Sequence, residues 1–202
     1  MLMKKTIFTL ALLAGLAGAA QAQRNVSLGL KGGVTYSNFV GADAGAYKDL
    51  FGLHAGIFAN IGLSKMVAFQ PELLYSQKGA KSQTQFGDDV TRRLYYLDVP
   101  LAFHINADGL FFEAGPQLGV LLAAQNIYAS STTSVDRNNF NALDFGYLAG
   151  LGYQRKTGPG IGVRYNGEFT NIRPSVTIGN TTFLSRIRNS AFQLYLTYSF
   201  GG

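Results

Sequence analysis

The residues that could carry out acid–base or metal chemistry are sparse in this sequence. It has two histidines, His54 and His104, which stand far apart, and it has no cysteine. A zinc site needs several Cys or His ligands at characteristic spacings, and no such spacing occurs here. The Gly-x-Gly fragments at 150–152 and 160–162 lie in alternating segments rather than before a helix, unlike a phosphate loop. We therefore predict that the chain is not an enzyme and uses no metal or other cofactor.

A larger set of ionisable residues lies inside apolar segments, on one side of an alternating pattern. This side carries four lysine or arginine residues and five aspartate or glutamate residues, and Lys78 and Asp144 are included in this count. Since a buried charge needs a partner of opposite sign, we predict a paired polar network in the lumen of a closed sheet. Its members are Lys31, Glu72, Arg92, Asp98, His104, Glu113, Arg164 and Glu168.

Eight segments carry this period-two alternation and therefore predict eight β-strands. Each is longer than a usual globular strand and could cross a bilayer at a tilt. Tight turns near Ser64, Asp108 and Gly158 alternate with long polar connections, as in an up-and-down outer-membrane barrel whose short turns face the periplasm. The segments are 26–36, 53–61, 67–78, 92–105, 112–122, 144–154, 161–169 and 192–200. The long connections are 39–49, 80–89, 125–139 and 172–188.

The orientation of the two faces separates a membrane barrel from a soluble one. A lipocalin-like barrel turns its apolar face inward and its polar face toward water. Here the polar face is rich in Gly and Gln and carries few charges, whereas the opposite face carries Leu, Val, Ile, Phe and Tyr. Hydrocarbon requires such an uncharged outer face. We predict an all-β fold, an eight-stranded antiparallel up-and-down transmembrane β-barrel.

The N-terminal sequence predicts export. Two lysines precede an apolar run at 7–17 and the sequence Ala-Gln-Ala at 20–22. This order is typical of a secretory signal peptide, and the run is too short to span a bilayer as a helix. We predict a signal peptide at 1–22 and a barrel domain at 23–202, which reaches the cell outer membrane through the periplasm after cleavage. Loss of the two lysines lowers the formal charge from +6 to +4, and this diffuse charge does not favour a nucleic-acid partner.

Two local patterns make sharper predictions. Pro71, Pro100 and Pro116 fall inside segments, although proline removes a ladder hydrogen bond. Each lies six positions from a residue beside its tight turn, counted from Lys65, Asn106 and Leu110, which predicts a band of β-bulges near the periplasmic side.

The dipeptide Asp108-Gly109, between two alternating runs, predicts a two-residue type I′ hairpin. That register sets His104 opposite Glu113 on the lumen face, as a structural pair rather than a catalytic dyad. A wider turn centred one residue earlier would instead place Phe111 opposite His104.

Several stretches of the sequence resemble a known family. They are QPELLYSQKG at 70–79, YLDVPL at 96–101, EAGPQLG at 113–119 and GLGYQ at 150–154, with the aromatic last segment. They resemble the PorT-like outer-membrane β-barrel family, which is similar in architecture to the OmpX and OmpA barrels. The resemblance implies the barrel fold and an outer-membrane location. It implies less about activity, because some relatives are linked to a protein-secretion apparatus and many are described only as porin-like.

The fourth long connection carries three positive charges and no acid, at Arg173, Arg186 and Arg188. We predict that this cationic rim faces the outer leaflet and its lipopolysaccharide, and the alternative is a solvated loop without preference. Since side chains just fill an eight-stranded barrel, the main functional prediction is a structural or interaction protein that contacts outer-membrane lipid and a protein partner at its extracellular loops. The alternatives are a narrow porin-like channel for small solutes or ions, and a lipid-modifying enzyme, against which the lack of a Ser-His-Asp set counts.

Overall fold

The fold consists of long antiparallel strands. The computed structural model describes residues 26–45, 47–83, 89–128, 131–179 and 181–200, so the signal peptide predicted at 1–22 lies outside the described residues. A short 3-10 helix spans Arg137–Asn139. The strands are β1 (Val26–Val40), β2 (Leu50–Gly62), β3 (Val67–Gln83), β4 (Asp89–Ala107), β5 (Leu110–Ile127), β6 (Thr132–Val135), β7 (Leu143–Gln154), β8 (Gly158–Glu168), β9 (Val176–Ile178), β10 (Thr181–Phe183) and β11 (Arg188–Ser199).

Eight of these strands close a ring. Each of β1, β2, β3, β4, β5, β7, β8 and β11 pairs with the next, and β11 pairs with β1. The predicted eight-stranded antiparallel barrel is therefore confirmed. β6 extends the far end of β5, and β9 and β10 form a separate hairpin in the fourth long connection. None of the helices in the described part of the chain is long and apolar enough to cross a membrane.

The two faces of the barrel have opposite character. Leu196, on the outside, is 63% exposed, whereas the adjacent Tyr195 is 2% exposed in the lumen. The same alternation exposes Phe51 and Leu53 of β2 and buries Gly52 and His54. Apolar side chains therefore face outward and polar side chains face inward, the reverse of a soluble barrel.

Strands β3, β4 and β5 are longer than the sequence pattern predicts. Residues 80–83, predicted as part of a connection, pair with 89–92, and residues 125–127 pair with β6. These extensions carry mostly polar residues on both faces, so no apolar alternation reveals them.

The predicted band of bulges at the prolines is wrong. The strand register is the same on both sides of Pro71, Pro100 and Pro116. The register of β4 with β5 shifts instead at Tyr95 and Tyr96, nearer the long connections. A bulge requires an extra residue in one strand, whereas proline only removes a donor from the ladder.

Candidate functional site

Arg164 is the centre of a first charged layer, in the half of the lumen nearer the tight turns. Its Nη1 and Nη2 donate to the two oxygens of Glu72 at 3.0 and 2.8 Å, and its Nε donates to Oε1 of Glu113 at 2.9 Å. Lys31 Nζ donates to Glu72 Oε1 at 2.8 Å, and the Tyr195 hydroxyl donates to Glu113 Oε1 at 2.7 Å. All four charged side chains are fully buried, so these charge-assisted bonds replace water.

The β4–β5 hairpin adds His104 to the first layer. Asp108 and Gly109 have φ angles of 49° and 93°, both positive as a type I′ turn requires. His104 then pairs with Glu113, with Nε2 3.3 Å from Oε2, and its ring stacks on Phe111 at 4.6 Å between centroids. The register predicted from the turn is confirmed, and the wider turn is wrong.

Lys78 is the centre of a second charged layer, nearer the long connections. Its Nζ donates to Asp98 Oδ1 at 3.1 Å and to Glu168 Oε1 at 3.0 Å. Gln117 Nε2 donates to the same Glu168 oxygen at 3.0 Å. Asp144 is the third carboxylate of this layer and is 5% exposed.

Arg92 belongs to neither layer, so its predicted place in the lumen network is wrong. It is half-buried at the end of β4 near the long connections, where its Nε donates to Asn126 Oδ1 at 3.2 Å. Alternation identifies the face of a residue but not its height along the barrel. The described lumen consequently holds three lysine or arginine charges against five carboxylates, so the near balance expected from the sequence is also wrong. The cations are Lys31, Lys78 and Arg164, and the carboxylates are Glu72, Asp98, Glu113, Asp144 and Glu168.

An apolar plug closes the lumen beyond the second layer. Phe140 and Ile172 reach into it from connections between strands, and Tyr47 packs against it. Alternation in the sequence does not reveal Phe140 and Ile172, because each stands alone among polar neighbours in a connection and shows no period. The plug consists of Phe39, Ala80, Leu94, Tyr96, Leu121, Ala124, Phe140 and Ile172.

The opposite end of the lumen opens into a cavity of about 660 Å³. Gln70 and Thr197 line it, together with His104 and Tyr195 of the first layer. Lys65, Arg155 and Lys156, from two tight turns, stand at its rim. The lumen is therefore accessible from the tight-turn end and sealed at the other end by the plug.

Three side chains of the first layer could in principle approach a metal ion. Glu72, His104 and Glu113 each bring one ligand atom within 4.8 Å of the others. However, Arg164 and Lys31 already donate to these carboxylates and neutralise them. A metal ion would have to displace the guanidinium, so this donor set fits an ion-pair network better than a metal site.

The three arginines predicted as a cationic rim lie in three different surroundings. Arg186 pairs with Asp43 of the first long connection, with Nη2 3.4 Å from Oδ1, and its backbone N–H donates to Oδ2 at 2.8 Å. The backbone hydrogen bond, followed by the side-chain bond, holds the pKa of Asp43 below its usual value. Arg173 is exposed, and Arg188 lies on β11 near the outward ring of Tyr147. The fourth connection itself carries no acid, but the first long connection supplies Asp43 as the partner of Arg186.

Comparison with known families agrees with this geometry. The family model described as "Outer membrane protein beta-barrel domain" matches residues 19–173. The chain belongs to this family. No curated protein matches the chain.

Two solved structures of other outer-membrane proteins share the fold of this chain. Neisserial surface protein A (NspA) is 13% identical with a TM-score of 0.54, and the match covers 87% of this chain and 99% of that chain. Ail, the attachment invasion locus protein of Yersinia pestis, was solved with the heparin analogue sucrose octasulfate. It is 12% identical with a TM-score of 0.51, over 87% of this chain and 99% of that chain. Such low identity shows the fold alone, and together with the family it supports an outer-membrane location.

Proposed function

We propose that this protein is a closed outer-membrane barrel without enzymatic activity, which acts as a structural or interaction protein through its extracellular loops. The observation that carries the proposal is the filled lumen. A solute would have to break the buried ion pairs of Arg164 and then displace Phe140 and Ile172 of the plug. An eight-stranded barrel is just wide enough for its side chains, so little room remains beside them.

The outer surface supports outer-membrane lipid as the surrounding medium. Aromatic rings on this surface pair near both ends of the barrel, as in interfacial belts. Phe69 and Phe103 lie 5.1 Å apart near the tight turns, and Tyr147 and Phe169 lie 5.2 Å apart near the long connections. In this function the tight turns face the periplasm, after removal of the signal peptide, and the long connections face outward.

Lipopolysaccharide is the lipid ligand of the long connections in this function. Arg173 is exposed there, and its positive charge lies near that of Arg92, so the site attracts anions. The shared fold with Ail, which was solved with the heparin analogue sucrose octasulfate, supports anion binding.

A protein partner at the loops is the second part of the proposal. The sequence stretches at 70–79 and 113–119 support a narrower place in the PorT-like family. Some members of that family are linked to a protein-secretion apparatus, which supports docking of a protein rather than passage of a solute.

A narrow porin-like channel for small solutes or ions is the second candidate function. The polar lumen and the cavity of about 660 Å³ at the tight-turn end favour it. The plug and the two charged layers argue against it, because both would have to open.

Single-channel recording in planar bilayers tests the two functions against each other. The expected result is no steady conductance for the wild-type barrel. A matched variant, Phe140→Gly with Ile172→Gly, removes two plug side chains and leaves both charged layers intact, so it also stays closed. Steady wild-type conductance that rises further in this variant would overturn the closed barrel and establish the channel.

A further inference from the structure

The second charged layer holds more carboxyl groups than cations. It holds one ammonium group, Lys78, against the carboxylates of Asp98, Asp144 and Glu168. Lys78 contacts Asp98 and Glu168, whereas no lysine or arginine nitrogen of the described residues lies within 4.0 Å of Asp144. The first layer cannot supply the missing charge, because Arg164 is already shared by Glu72 and Glu113 there.

Unpaired oxygens point to where a positive charge would sit. Asp144 Oδ1, Glu168 Oε2 and Asn189 Oδ1 are buried and accept no hydrogen bond from any described residue. Asn189 Nδ2 donates to the other Asp144 oxygen at 3.0 Å. The pairing of Ser190 with Gly167 sets Asn189 beside Glu168 in the next position along both strands. The three free oxygens therefore belong to three neighbouring side chains.

A fourth polar side chain adds an independent observation. Asn166 lies on the lumen face of β8, two residues before Glu168, and is 1% exposed. Neither its Oδ1 nor its Nδ2 has a hydrogen-bond partner among the described residues. A buried amide without a partner is costly, and a bound species in the space between the two layers would satisfy it.

Two glycines give this group its room. Gly119 and Gly146 face the lumen beside it. A Cβ atom at Gly146 would lie 2.0 Å from Glu168 Oε2, and one at Gly119 would lie 2.8 Å from Asp98 Oδ1. Any larger residue at these positions would occupy the space of the carboxylates.

We infer that the second layer binds one hard divalent cation of the Ca²⁺ class, held by Asp144, Glu168 and Asn189. The free donors are all oxygens, which hard cations prefer, and two positive charges match the surplus of two carboxylates. One proton shared by Asp144 and Glu168 would neutralise half of that surplus and leave Asn189 Oδ1 unpaired. The site is sealed by the plug on one side and by the first layer on the other, so the ion enters during folding and exchanges slowly afterwards.

Native mass spectrometry tests the site directly. The purified protein is refolded in detergent with Ca²⁺, passed through EDTA and weighed. One Ca²⁺ per barrel is expected for the wild type and none for Asp144→Asn, which keeps the size of the side chain and removes its charge. The matched control Asp136→Asn, in an exposed connection, keeps the ion. Absence of Ca²⁺ from the wild type, or equal Ca²⁺ in Asp144→Asn, would overturn the site. The carboxyl groups would then be neutralised by protons or hydrogen-bonded to water.

A second measurement covers the case in which Asp144→Asn does not fold. Tb³⁺ replaces Ca²⁺ and becomes luminescent beside an excited tyrosine, and the chain has no tryptophan to compete. The Tyr96 hydroxyl lies 3.2 Å from Asn189 Nδ2. Tyr96→Phe is therefore expected to bind Tb³⁺ by mass but to lose most of the sensitised emission. Unchanged emission in Tyr96→Phe would place the ion elsewhere and overturn the proposal.

Discussion

Arg164 donates from Nε to Oε1 of Glu113 at 2.9 Å, and both side chains are fully buried in the lumen of the barrel. This contact joins β8 to β5 across the lumen, between residues 51 positions apart in the chain. The same guanidinium holds Glu72 of β3. Three strands that are not neighbours in the ring are thus tied together by one side chain.

Arg164→Met is expected to destabilise the barrel by about 3–5 kcal/mol, the usual cost of leaving a buried charge without its partner. Glu72 keeps Lys31, so most of the loss arises at Glu113. Urea unfolding in lipid vesicles measures the free energy. The double variant Arg164→Met with Glu113→Gln should recover most of the lost unfolding free energy. If Arg164→Met alone unfolds within about 1 kcal/mol of the wild type, the contact does not have this role.

The tight turn at 108–109 gives a second prediction. Gly109 has a φ of 93°, and a Cβ there would lie 2.6 Å from the ring of Tyr153. Gly109→Ala should therefore cost about 1–3 kcal/mol of unfolding free energy, from backbone strain and crowding. Asp108→Asn is the control, because asparagine tolerates positive φ and should unfold like the wild type. Equal stability of Gly109→Ala and the control would argue against the type I′ turn.

The proposed lipopolysaccharide contact makes a graded prediction. Each cation near the charged leaflet contributes about 1 kcal/mol, which corresponds to about fivefold in affinity. Arg173→Gln should show this loss, whereas Arg186→Gln should lose less because Asp43 already neutralises its charge. Titration of the detergent-purified barrel with lipopolysaccharide measures both, and Arg155→Gln, on a tight turn, serves as the control. Equal effects of Arg173→Gln and Arg155→Gln would exclude a specific loop contact.

The sequence is sufficient to predict what depends on period and local turn geometry. The eight strands, their faces and the pairing of His104 with Glu113 follow from alternation and from Asp108-Gly109. The position of a side chain along the barrel axis, and the contacts between connections, could not be predicted from alternation or turn geometry. Arg92 has the expected face but lies beyond the charged layers, and Phe140 reaches the plug from a connection without any periodic signal.

The contact between Asp43 and Arg186 is the clearest case of pairing between connections, and it predicts a pH dependence. Asp43 has a lower pKa in the folded protein than in the unfolded chain, so the unfolded chain binds more protons on acidification. The contact therefore stabilises the fold above the usual aspartate pKa of about 3.9, and this contribution is lost as the pH falls through the folded value. An NMR titration of the Asp43 carboxyl should show the lowered pKa. In Arg186→Gln the pKa should rise only part of the way, because the backbone N–H of residue 186, the largest cause, still donates to Asp43 Oδ2. Titration of wild-type Asp43 at its usual value would contradict the contact between the two connections.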